Sequence, residues 1–149
     1  MVWMNVARAF PEKKHHQLRE IVDSVMVENP ATRIIVMGDM NDNPHNKSIA
    51  EDLRATARSA AANDLYNPFA NTRRGSSVYD GRWNQYDNIV VSHNIPLCAI
   101  DGRRKAKVYR HPSLLDRAGK PLPTYSGTDY KGGASDHLPI YVIIEADKP

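Results

Sequence analysis

The apolar positions of residues 12–28 recur with a helical period. Leu18, Ile21, Val22, Val25 and Met26 stand at i, i+3, i+4, i+7 and i+8. Glu12, Lys13, Lys14, Glu20, Asp23 and Glu28 fall mainly on the other face, and Asn29-Pro30 ends the segment. This spacing predicts an amphipathic helix. Thr32–Met37 then changes character: its apolar residues are continuous and β-branched at Ile34, Ile35 and Val36, which predicts a strand buried on both faces. A second helix is predicted over 46–57, with His45 or Asn46 as its cap. The polar stretch 58–77, carrying Arg73-Arg74-Gly75, reads as a surface loop. Ser77-Val78-Tyr79, then Asp80-Gly81, then Trp83 read as a hairpin, because Asp-Gly between β-prone runs favours a tight turn. The next strand, within Tyr86–Ser92, is interrupted by Asp87. Another is predicted over 106–110, an irregular excursion over 112–133, and a final buried strand over Leu138–Ile144.

A helix followed by a buried strand is an α/β signature. The expected fold is therefore α/β, a layered sandwich of β-sheet flanked by helices. The 149 residues suit one domain, residues 1–149. A charged fraction of 25% and a hydrophobic fraction of 41% are those of an ordinary globular protein. The net charge of +3 accommodates an anionic substrate without suggesting a nucleic-acid coat protein. A single cysteine, Cys98, excludes an intrachain disulfide. No apolar run approaches the roughly 20 residues of a membrane span. Met1–Asn5 shows no basic region leading into a long apolar core, so no signal peptide is read there, and the compartment stays open.

Chemistry-bearing residues stand at three strand edges. Asp39 and Asn41, in Gly38-Asp39-Met40-Asn41, follow the first buried strand, where open α/β sheets usually present ligands. Asp87 lies within a β-prone run, and Asp136-His137 precede the last strand. Converging on one rim, they suit hydrolysis of a phosphate ester. Asp39 can accept a proton from water. Asn41 can donate to a phosphoryl oxygen or orient the nucleophile. His137 can stabilise phosphoryl charge while Asp87 fixes its tautomer. Asp136, with Asp39 and Asn41, can help hold a hard divalent cation such as Mg2+. Each motif alone has a plainer explanation. Gly-Asp-x-Asn is good turn chemistry, and Ser135 or Asp136 can cap local backbone. Asp87 is harder to dismiss, since Asp is depleted in strands and a buried one needs a partner. His15, His16, His45, His93 and His111 read as solvated or locally hydrogen-bonded, with no zinc spacing. Arg103, Arg104, Lys105, Lys107 and Arg110 read as a solvated face.

Taken together and in order, "IIVMGDMND", "GRWNQYDNIVVS" and "GGASDHLPIYVII" resemble the last three motifs of the endonuclease/exonuclease/phosphatase family. The approach to the Asp87 strand, Tyr79-Asp80-Gly81-Arg82-Trp83-Asn84-Gln85, fits as well. The resemblance runs from about residue 12 to 145. It implies metal-dependent cleavage of phosphoester bonds in nucleic acids, lipids or inositol phosphates. It places Asp39 and Asn41 on the Gly-Asp-x-Asn pair, Asp87 on the acid that orients the histidine, and Asp136 with His137 on the Ser-Asp-His end. The family's first half carries an Asn and the Glu that is the main magnesium ligand; nothing before residue 12 matches them, and Met1–Phe10 holds no histidine. The chain thus resembles the carboxyl-terminal half of a two-sheet sandwich. Mg2+ (or Mn2+) is expected to bind weakly and turnover by this chain alone to be slight. An apolar sheet face left open is expected to drive self-association or to need an amino-terminal half. A silent binding or assembly module that retains the fold is the alternative to an enzyme.

Overall fold

The computed structural model describes residues 1–5, 14–58, 61–103 and 105–146. Its elements are β1 (Val2–Asn5), α1 (Lys14–Glu28), β2 (Ile34–Asp39), β3 (Ala55–Thr56), β4 (Leu65–Tyr66), β5 (Ser77–Tyr79), β6 (Arg82–Asn84), β7 (Asp87–Ser92), β8 (Ala106–Val108), β9 (Tyr125–Ser126), β10 (Asp129–Tyr130) and β11 (Ile140–Val142). The fold is mixed α/β. A five-stranded sheet has the order β1-β2-β7-β4-β3, and three two-stranded ribbons join β11 to β8, β5 to β6 and β10 to β9. β2 runs parallel to β1 and antiparallel to β7.

The first half of β2, Ile34, Ile35 and Val36, is buried on both faces, as its unbroken apolar run predicts, while Met37, Gly38 and Asp39 are half-buried. Successive side chains of a strand point to opposite faces. Ile34 and Val36 join Leu18, Val22, Ile49, Leu53 and Val90 in the core beneath α1. Ile35 faces the other way, onto Val91, Ile95 and Leu97, with Val142 and Ile144 packed against them. The β8–β11 ribbon and the segment before β8 therefore cover the sheet face opposite α1, so the expectation of an open apolar face does not hold. The expected final strand is shorter and less buried than its composition suggests. β11 holds three residues, all half-buried, because it belongs to an outer ribbon and Ile143 beyond it is exposed.

α1 occupies the expected segment; Glu12 and Lys13 lie outside the described residues. Its buried stripe is rotated from the predicted one. His15, Leu18, Arg19 and Val22 are buried, whereas Ile21 is exposed. Arg19 is tolerated there because Asp23 and the Leu53 carbonyl accept its hydrogen bonds. His15, read from the sequence as solvated or locally hydrogen-bonded, is not solvated and belongs to this buried stripe.

The second helix shrinks to a π-helical turn, Ser48–Asp52. Arg54, at φ +54°, breaks the helical path. Its guanidinium meets Asp23 and Asp64. Asn46 does not cap the turn with its side chain, which goes with Ser48 to the Asp42 carboxylate. The stretch 58–77 is not a plain surface loop. It contains β4 and buries Asn67, Phe69, Ala70, Ser76 and Ser77.

Candidate active site

Gly38 adopts φ +146° at the end of β2, a conformation open to glycine. The chain then turns at Met40, which is anchored in the core and donates its amide to the Tyr86 carbonyl at 2.8 Å. Asp39 is thereby held at the sheet end, directly opposite Asp87 in the β2–β7 ladder. The Asn41 amide donates to Asp39 Oδ1 at 2.9 Å. Asn43 ties the loop to the far side: its Oδ1 accepts from the Gln85 amide at 2.8 Å, and its Nδ2 donates to Asn84 Oδ1 at 3.0 Å.

His137 enters from the segment before β11. It bridges Ser77 of β5, and the next amide, Leu138 N–H, donates to the Ser76 carbonyl at 2.8 Å. The His137 Nδ1 lies 2.7 Å from Asp87 Oδ2, which also accepts the Ser76 hydroxyl. One donor atom from each of Asp39, Asp87 and His137 lies within 4.8 Å of the other two. The hydrogen bond to Asp87 raises the His137 pKa above its ordinary value; partial burial opposes this, and the charges of Asp87, Asp39 and Asp136 add to it. Tyr86 is raised as well, by burial first and then by the charges of Asp42, Tyr79 and Asp39.

Of the five residues singled out by sequence, three converge: Asp39, Asp87 and His137. Asn41 stays on the same loop but is exposed, with φ +54°, a conformation Asn tolerates better than most residues. Asp136 is exposed and outside the convergent trio, close enough for its charge to act on His137. Sequence reasoning missed Ser76, whose hydroxyl supports Asp87, and the buried pair Asn67–Asn88. Asn67 Nδ2 donates to Asn88 Oδ1 at 3.0 Å, and Asn88 Nδ2 donates to the Gln85 and Tyr86 carbonyls at 2.9 and 3.2 Å. This amide shapes the entry into β7 just before Asp87. A serine or asparagine in a polar stretch carries no mark of burial; only the adjacent Gly75, forced against Asn84, hints at a packed segment.

A model of the endonuclease/exonuclease/phosphatase family matches residues 8–146, nearly the whole chain. The chain belongs to this family. No curated protein and no solved structure matches it. Enzymes of the endonuclease/exonuclease/phosphatase family are generally dependent on divalent metals, and the acidic rim fits such an ion. Magnesium needs only one or two protein carboxylates, taking its other oxygens from water and substrate phosphate. Asp87 and His137 are committed to each other, which leaves Asp39 as the central oxygen donor of the trio.

Proposed function

We propose that this chain is a divalent-metal-dependent phosphoesterase, with Mg2+ or Mn2+ as its ion and Asp39, Asn41, Asp87, Asp136 and His137 as its working residues. The observation that carries this reading is the 2.7 Å contact between His137 Nδ1 and Asp87 Oδ2, set beside Asp39. An exposed turn has no need of a histidine locked to a strand aspartate. With Nδ1 engaged, Nε2 is the free ring nitrogen, and a protonated His137 can donate it to a phosphoryl oxygen. Asp39 takes a proton from the attacking water, whose oxygen bonds to phosphorus as the ester oxygen leaves and is protonated by solvent. Asn41 steadies a phosphoryl oxygen or the water. The cation, held by Asp39 with Asn41 and Asp136 flanking it, would neutralise developing charge on phosphoryl oxygens.

Hydrolysis of bis(p-nitrophenyl) phosphate tests this reading. Slow turnover is expected with Mg2+ or Mn2+, removed by a chelator. Loss of a donor to developing transition-state charge typically lowers rate by about 10²–10³-fold, so His137→Ala should bring so slow a reaction to the solvent rate. Turnover that survives His137→Ala would overturn the assignment. A folded wild-type chain that shows no metal-dependent turnover would favour the silent module.

A further inference from the structure

Two of the basic residues set aside as solvent-facing, Lys107 and Arg110, meet Arg73 and Arg74 of the 58–77 stretch. Asn71, Thr72, Arg73, Arg74, Lys107 and Arg110 line a cavity of about 370 Å³, floored by Ala106 and Val108. Two guanidinium groups share one aromatic ring there. The Arg74 Cζ lies 5.0 Å and the Arg110 Cζ 4.3 Å from the centroid of Trp83. Arg110 is fixed by hydrogen bonds from Nη2 to the Arg74 and Gly75 carbonyls, at 2.9 and 2.7 Å. Its Nη1 is buried and has no hydrogen-bond partner. Among the described residues no carboxylate lies within ion-pair distance of Arg73, Arg74 or Arg110. Lys107 alone has an acid near it, Asp101 at 3.9 Å.

We propose that this cavity is a binding site for a phosphate group, distinct from the rim that carries His137. Like charges held together without a counter-ion destabilise a fold, and an oxyanion in the cavity supplies the missing counter-charge. Guanidinium forks suit it best, because their paired N–H groups match the oxygens of phosphate. Trp83 holds the two forks by cation–π contact and so keeps them in place when the cavity is empty. Thr72 and Asn71 add uncharged hydrogen-bonding groups on the same wall. Burial, and then the charge of Arg74, lower the Arg110 pKa, as expected for a cation lacking its anion. The ligand chemistry is a phosphate group, either free or borne on an organic ester.

Trp83 is the reporter. The chain has two tryptophans, so Trp3→Phe leaves Trp83 alone. Titration of that protein, with chelator present, uses inorganic phosphate and glycerol 3-phosphate in separate arms. A saturable change in Trp83 fluorescence is expected. A response to the free ion alone assigns free phosphate as the ligand; an equal or tighter response to the ester assigns an ester-borne group. Charged hydrogen bonds are worth enough that Arg74→Gln or Arg110→Gln should weaken binding about tenfold or more. Arg110 also braces backbone, so Arg73→Gln, at an exposed position, and Lys107→Gln, at a half-buried one, provide a second set expected to weaken binding with the melting temperature unchanged or raised. His137→Ala should bind as the parent does. No saturable response in either arm, binding unchanged in all four variants, or binding lost in His137→Ala would overturn the proposal. None of these readings depends on catalysis.

Discussion

Asp39 and Asp87 face each other across an antiparallel ladder, a placement in which like charges destabilise the sheet. His137 relieves it. Its ring meets Asp87, and the nearby acids favour the protonated form. The consequence for pH follows from the direction of the shift. The ordinary histidine value is about 6.5, and the folded value lies above it. Protonated His137 therefore stabilises the fold fully below about pH 6.5, and this contribution is lost as pH rises through the folded value. Histidine ring resonances of chelator-treated protein measure it, with His137 assigned from the His137→Gln spectrum. A midpoint above that of free histidine is expected. Asp87→Asn removes the largest cause and should lower the midpoint, and should flatten the fall in melting temperature as pH rises above 6.5. Equal midpoints in the two proteins would mean that the Asp87 contact does not govern the ring.

At the scale of elements, legibility tracked how local the determining physics is. The β5–β6 hairpin could be read because its turn needs Asp80 and Gly81 in left-handed conformations, φ +49° and +72°, which Asp-Gly supplies within two residues. The pairing of Asp87 with His137 was legible because an acid inside a β-prone run demands a partner. The 46–57 helix failed because its last residues, Ala55 and Thr56, pair with β4, a contact that outweighs helical propensity there. The surface-loop reading of 58–77 failed at Asn67 and Ser76 because their burial depends on partners far along the chain, Asn88 and Leu138. Gly75 shows the difference in kind between two glycines. A Cβ on Gly75 would stand 1.9 Å from the Asn84 carbonyl oxygen, whereas one on Gly81 meets nothing within 4 Å. Gly75→Ala must push the segment off β6 and move Ser76 from Asp87. Overpacking of this kind costs about 1–3 kcal/mol, a fall of several degrees in melting temperature. Gly81→Ala suffers only from its backbone conformation, about 1 kcal/mol. Thermal unfolding and phosphodiester turnover, measured side by side, should separate them: Gly75→Ala loses both, Gly81→Ala keeps turnover. Equal behaviour would mean that the 71–76 segment does not position the site.

For the whole molecule, the question raised by the apolar strands is what covers the second face of the sheet. Ile35 and Val91 are each 1% exposed, so the chain covers that face itself. The cover is stitched in place by backbone. Cys98 N–H donates to the Ile143 carbonyl at 2.8 Å, and Glu145 N–H donates to the Pro96 carbonyl at 3.0 Å, while Leu97 bridges Ile144. Val142 and Ile144 pack inward against the sheet, and Ile143 between them is turned to solvent, as strand alternation requires. The large exposed apolar residues among those described are Met1, the α1 residues Ile21 and Val27, Tyr79, Tyr109, Ile143 and the edge-to-face pair Tyr125 and Tyr130 of the β9–β10 ribbon. Small separate exposures of this kind are ordinary on a monomer. The purified chain is therefore expected to scatter light as a monomer of 16.8 kDa across a dilution series, and to leave a hydrophobic dye dark. Ile144→Asp places a charge in that cover and should open it. Burying an unpaired carboxylate is too unfavourable to be tolerated, so dye binding and concentration-dependent growth in mass should appear together. A wild-type chain that already dimerises and binds dye would show that the β8–β11 ribbon does not stay closed over β2 and β7. An Ile144→Asp protein that remains dark and monomeric would show that the cover contributes nothing to keeping the face dry.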